Sequence, residues 1–117
     1  MRRRDGRVRQ LTQRAPVFAA LGDPVRLAIV SRLCADGPLP TIRLKQGTRV
    51  TRQAVTKHLR VLEDVGLVRS DRVGRDRLWQ IEAQQLAELR NYLEQISARW
   101  DVTLERLRSY VEDDGHK

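Results

Sequence analysis

The chain has 117 residues, 32% charged and 40% hydrophobic, which is room for one domain with a modest core and is not the balance of a disordered segment. No apolar run approaches the roughly 18 residues of a membrane span, so no membrane association is expected. The net charge of +8 is uneven: residues 1–14 carry six Arg against one Asp and residues 43–81 ten Lys/Arg against four acids, whereas residues 82–114 carry four Arg against eight acids. A polyanion is therefore favoured on one side of the molecule only.

Residues 1–13 form a basic arm expected to be flexible; Arg2, Arg3, Arg4, Arg7 and Arg9 are either extra phosphate or minor-groove contacts or a solvated tail. Met-Arg-Arg-Arg is followed by Asp-Gly-Arg and not by an apolar signal core, and the single Cys34 cannot form an internal disulfide. A cytoplasmic location is expected.

Residues 14–82 read as the core. A short helix is predicted from Pro16 to Leu21, then a start signal at Asp23-Pro24, where Asp caps free amides and Pro loses no hydrogen bond at the first helical position. The second helix runs to about Ala35 with Leu27, Val30, Leu33 and Cys34 on one apolar face, and Asp36-Gly37-Pro38 ends it. Cys34 is expected there as a small core residue, a redox sensor being the alternative. A short helix from about Pro40 to Gln46 closes at Gly47.

Thr51 caps the next helix, whose inner stripe is Val55, Leu59 and Leu62 and which Gly66 stops. Its other face carries Arg52, Gln53, Thr56, Lys57 and Arg60, with Arg49 just ahead of it. In a helix-turn-helix the start of the second helix enters the major groove, where Arg and Lys read guanine, Gln reads adenine and Thr holds base or phosphate. The plain alternative is a solvated helix face. The adjoining segment argues against it: strand-like runs Leu67–Ser70 and Leu78–Ile81 flank Val73-Gly74-Arg75-Asp76, and Arg72, Arg75 and Arg77 ring the tip. Trp79 and Ile81 are expected to pack this hairpin onto the body, because a two-stranded ribbon alone is barely stable.

From about Ala83 to Glu112, Leu86, Leu89, Leu93, Ile96, Trp100, Leu107 and Tyr110 recur in steps of three and four, with Thr103 in the remaining slot. Such a stripe is roughly 45 Å long at ~1.5 Å per residue, more than so small a domain covers, so a partner helix in a symmetric homodimer is expected. Trp100 is read as a seam residue, with an effector pocket as the other option. Residues 83–112 are thus a dimerisation helix and 113–117 a tail.

Leu21-Gly22-Asp23-Pro24-Val25-Arg26-Leu27, then the run from Arg52 to Val68, then Gly74-Arg75-Asp76-Arg77-Leu78-Trp79 resemble the ArsR/SmtB family of bacterial regulators, over about residues 14–112. The resemblance implies a mainly α fold with a two-stranded β wing: a winged helix-turn-helix with a long C-terminal dimerisation helix. It also implies a homodimer that binds a pseudo-palindromic operator in double-stranded DNA and represses its targets, with the helix from Thr51 as the recognition helix. His58 matches the family's His-Leu pair and is read as structural.

The chain departs from the family's metal sensors. Ile42-Arg43-Leu44-Lys45-Gln46 stands where a Cys-x-Cys-like motif would be, and no His or Cys lies between Leu59 and Gly115. Zinc needs three or four ligands, so no metal site and no cofactor are expected. An organic effector, a partner protein or no effector remain open. The alternative function is a winged-helix module whose basic face meets an acidic protein without a specific operator. No enzyme is expected, since Cys34 and His58 sit on different helices without a third member and neither a Gly-rich phosphate loop nor a paired-carboxylate motif appears.

Overall fold

The computed structural model describes residues 14–115; the basic arm and His116 lie outside the described residues. Residues 14–21 are helical (α1), followed by α2 (Pro24–Asp36), β1 (Leu39–Pro40), α3 (Thr41–Lys45), α4 (Arg52–Asp64), β2 (Val68–Val73), β3 (Asp76–Ile81) and α5 (Ala83–Gly115). The chain divides after Leu86 into two units.

The first unit is built on a core of Val17 and Ala20 from α1, Ile29, Val30 and Leu33 from α2, Leu44 from α3, Val55, Leu59 and Leu62 from α4, and Leu39, Leu67, Val68 and Trp79 around the sheet. No polar or charged residue is buried among the described residues, so this core rests on apolar burial rather than on an internal polar network. The helix start marked by Asp23-Pro24 is real. Asp23 Oδ2 accepts from the Val25 and Arg26 amides at 2.9 and 3.0 Å, and Pro24 is the first helical residue.

Three expectations are corrected. First, α2 does not bury the face on which Leu27 and Cys34 lie: Leu27 is 50% exposed and Cys34 is exposed. The inward positions are Ile29, Val30 and Leu33, in line with Arg26. Because Arg26, Ser31, Arg32 and Asp36 are spread around α2, its periodicity does not choose the face; the packing against α4 and β3 does. Second, the wing is the expected two-stranded hairpin of β2 and β3, but an unexpected strand, β1, pairs with β3 and extends the sheet to the order β1-β3-β2, with Leu39 opposite Trp79 and Pro40 opposite Leu78. A two-residue strand ending in Pro has no period to detect, and Pro is tolerated because β1 is an edge. Third, Trp79 is buried as expected but Ile81 only partly, and α5 runs to Gly115, past the expected end at Glu112.

Arginines finish the seams. Arg32 Nη1 donates to the carbonyls of Arg43, Leu44 and Gln46, which caps the carbonyl end of α3. Arg26 reaches from α2 to the Ala20 carbonyl and to His58 Nδ1, 3.2 Å away on α4, and Asp23 Oδ2 lies 3.8 Å from the same nitrogen. His58 is thus a half-buried structural residue joining α4 to the α1–α2 turn.

The Arg26 amide hydrogen bond, aided by the His58 and Arg26 charges and the Val25 amide, holds the Asp23 carboxyl below the usual carboxylate range, against a partial loss of water that pushes it up. A lowered folded value means that the charged cap stabilises above the unfolded pKa, and that this is lost as pH falls through the folded one. Asp23→Ala is expected to lower Tm at neutral pH, and Asp23→Asn, which still caps, to lower it less. In thermal melts the gap between wild type and Asp23→Asn should start to close near about pH 4 and vanish at lower pH.

Candidate nucleic-acid interface

The outer face of α4 is fixed at both ends. Thr51 Oγ1 accepts from the Ala54 amide at 3.1 Å, and at the other end the Gly66 and Leu67 amides return to the carbonyls of Glu63 and Leu62 at 2.9 and 3.0 Å. This paired return needs a left-handed residue, supplied by Gly66 at φ +80°, and is flanked by Leu62 and Leu67, both fully buried. With Val55, Leu59 and Leu62 inward, Arg52, Gln53, Lys57 and Arg60 are left in solvent, and Thr56 is half-buried with its hydroxyl donating to the Arg52 carbonyl.

The wing is a tight hairpin. Gly74, at φ +64°, takes the first central position of the two-residue turn and Arg75 the second. Cross-strand register alternates the faces: Val68 opposite Ile81, Ser70 opposite Trp79 and Arg72 opposite Arg77 share the face that enters the core, while Arg69–Gln80, Asp71–Leu78 and Val73–Asp76 share the other. Two guanidinium groups directly opposite each other repel. Among the described residues no acidic side chain pairs with Arg72 to offset it.

The structure separates the cations by use. Arg26, Arg32, Arg69, Arg77, Arg90 and Arg108 each have a hydrogen-bond or ion-pair partner, Arg69 with Glu82 at 3.1 Å. Among the described residues Arg49, Arg52, Lys57, Arg60, Arg72 and Arg75 are exposed and have no side-chain partner, as is also true of Arg43 on α3 and Arg99 and Arg106 on α5. Nearly all the cations expected to meet DNA are therefore uncommitted. Arg77 differs: its Nη1 donates to Ser70 Oγ at 2.8 Å, and Ser70 Oγ donates to Glu63 Oε2 at 3.0 Å. Residue order does not reveal Ser70 or Glu63, because their link to Arg77 depends on strand register and on how α4 packs against β2.

The α5 helix, which from Ala87 onward makes up the second unit, is about 50 Å long at 1.5 Å per residue, with i,i+4 ion pairs at Arg90–Glu94 and Arg108–Glu112. Of the predicted seam, Leu89 is buried, Leu86 and Ile96 are partly covered, and Leu93, Trp100, Leu107 and Tyr110 are 50–69% exposed. Leu104 and Val111, outside the predicted stripe, sit four residues after Trp100 and Leu107 and widen it. Among the described residues no group of three or more His, Cys, Asp and Glu could hold a metal, and no helix is long and apolar enough to cross a membrane.

Residues 21–71 match the family described as Helix-turn-helix domain. The chain is 36% identical over 106 residues to HTH-type transcriptional regulator Rv2034 of Mycobacterium tuberculosis, covering 89% of this chain and 95% of that protein. Among solved structures it is similar to an ArsR-like transcriptional regulator from Rhodococcus sp. RHA1, at 34% identity and a TM-score of 0.69, covering 86% of this chain and 93% of that one. It is also similar to Mb0332 from Mycobacterium bovis, described as a homodimeric winged helix-turn-helix DNA-binding domain and a possible ArsR-family regulator. That match has 26% identity, a TM-score of 0.64, and covers 80% and 86% of the two chains.

The opposed Arg72 and Arg77 generate a prediction in which stability and binding move apart. Arg72→Gln is expected to stabilise the protein by about 0.2–0.5 kcal/mol in urea titration, by relieving the like-charge pair. The same substitution should weaken binding to any duplex.

Proposed function

The chain belongs to the ArsR family of winged helix-turn-helix transcriptional regulators, and on that premise we propose that it is a homodimeric, cytoplasmic repressor without a metal effector. It reads a pseudo-palindromic operator with α4 and holds the phosphate backbone with the wing. The observation that carries this is the set of exposed, uncommitted cations on the outer face of α4 and at the wing tip, on a helix capped at both ends. Arg52, Gln53, Thr56 and Lys57 occupy the first two turns, the part of a recognition helix that reaches base edges, while Thr51, Arg49, Arg60, Arg72 and Arg75 serve the backbone. Occupying a promoter with such a dimer blocks transcription. Catalysis has no place in this mechanism.

Selection of bound sequences from a random duplex pool tests the reading, and recovery of no shared motif would sink it. With the selected operator, Gln53→Ala or Lys57→Ala should relax preference at one position per half-site by about 1–3 kcal/mol. Arg75→Ala should instead weaken all sequences alike and flatten the salt dependence by up to ~2 units, since each subunit then neutralises one phosphate fewer. One equivalent of zinc, cadmium or nickel should leave operator affinity unchanged, because zinc needs three or four ligands and the chain offers one Cys and two His.

The homodimer is supported by the stripe of Leu86, Leu89, Leu93, Ile96, Trp100 and Leu107 along α5, largely exposed from Leu93 onward, and by the likeness to a homodimeric domain. Leu93→Asp would set a carboxylate against its symmetry mate in an apolar seam, at a cost of several kcal/mol. That variant should sediment as a monomer and lose operator binding. A wild type that sediments as a folded monomer at micromolar concentration would contradict the dimer.

A further inference from the structure

Arg77 lies in a predicament that its neighbours resolve. Its directly opposed Cα partner on β2 is another cation, Arg72, and like charges at opposed positions are unfavourable. The diagonal neighbour on the same face is Ser70, within reach of a long side chain, and the Arg77 Nη1–Ser70 Oγ hydrogen bond is 2.8 Å. Ser70 donates its own proton to Glu63 Oε2 at 3.0 Å, on the last turn of α4. A hydroxyl that accepts from a cation and donates to a carboxylate is polarised in one direction, so the orientation of both bonds is fixed.

Arg77 remains exposed, and a guanidinium has five N–H donors, of which this network uses one. The others stay available to an anion. Glu63 belongs to the helix that faces the bases, and Arg77 to the strand that faces the backbone. The chain Glu63–Ser70–Arg77 thus ties the end of α4 to the middle of the wing.

We propose that Ser70 and Glu63 are positioning residues that hold the Arg77 guanidinium ready for a phosphate of the operator, so that α4 and the wing meet DNA as one preset surface. This rests on the DNA-binding reading and adds to it which groups set the geometry of the wing contact. Preorganisation of this kind raises affinity by spending side-chain freedom before the encounter.

The test is a set of binding isotherms and salt titrations on full-length protein with the selected operator. Ser70→Ala should weaken binding about three- to tenfold, and in an Arg77→Ala background should have less than about twofold further effect. Its salt slope should fall as that of Arg77→Ala does, which a merely structural loosening would not reproduce. Ser70→Thr, which keeps the hydroxyl on a β-branched strand residue, should restore both, and Glu63→Gln, which keeps an acceptor, should stay near wild type. Independent, multiplying effects of Ser70→Ala and Arg77→Ala would overturn the proposal, as would an inert Ser70→Ala beside a damaging Arg77→Ala. Tighter binding by Glu63→Gln would also overturn it, showing that the network restrains Arg77 instead of presenting it. If wild type selects no operator, the DNA reading itself fails and this inference with it.

Discussion

The β part of the first unit hangs on Trp79. It sits on the central strand, opposite Leu39 on one side and Ser70 on the other, is 2% exposed, and donates its indole N–H to Thr41 Oγ1 at 3.0 Å. A hairpin alone is marginal in water, and removal of a buried Trp side chain costs roughly 3–5 kcal/mol. With Leu67 and Val68 also buried, the anchored indole of Trp79 therefore helps to fix the position of the arginines at the hairpin tip. The same residue joins β3 to the start of α3, so the helix-turn-helix and the wing share one fixed point.

A net charge of +8 says little until the cations are divided by what they touch. Arg32 gives one nitrogen to three carbonyls at the end of α3, and Arg26 bridges α1, α2 and α4; these charges maintain the fold. Exposed groups without partners, such as Arg52, Lys57 and Arg75, have no comparable task inside the molecule. Surface ion pairs contribute little to stability, so leaving these cations unpaired costs the fold little and keeps their full field for a polyanion.

How much of the molecule is legible in the sequence differs by element, for physical reasons. α4 can be read almost residue by residue, because Val55, Leu59 and Leu62 stand out against a polar background and Thr51 and Gly66 mark its ends. α2 cannot, since its polar and apolar residues are mixed around it and the choice between Cys34 and Ile29 as an inward residue is made by what packs there. β1 is invisible because two residues carry no period. The wing arginines stand out as a group, yet Arg77 is distinguished from Arg75 only through the cross-strand register that brings Ser70 and Glu63 to it. On α5 the heptad template picks out Leu93, Trp100, Leu107 and Tyr110 but passes over Leu104 and Val111, which are as exposed as they are.

Under the proposed reading, the two surfaces constrain each other. The few side chains on two turns of α4 address a short run of base pairs, and at about 1–3 kcal/mol of discrimination each they fall short of singling out one site in a genome. A symmetric second copy doubles the reading and the phosphate contacts together. The α5 stripe, with Leu93, Trp100, Leu104, Leu107 and Val111 exposed, is the least favourable surface of a lone chain. Pairing of α5 and occupancy of the operator then lie on one thermodynamic cycle: whatever favours the pair favours the complex, and DNA favours the pair to the same degree. A signal needs no metal to act on that cycle. Any molecule that binds α5 differently in the paired and separated states shifts operator occupancy by that difference in affinity and by nothing more.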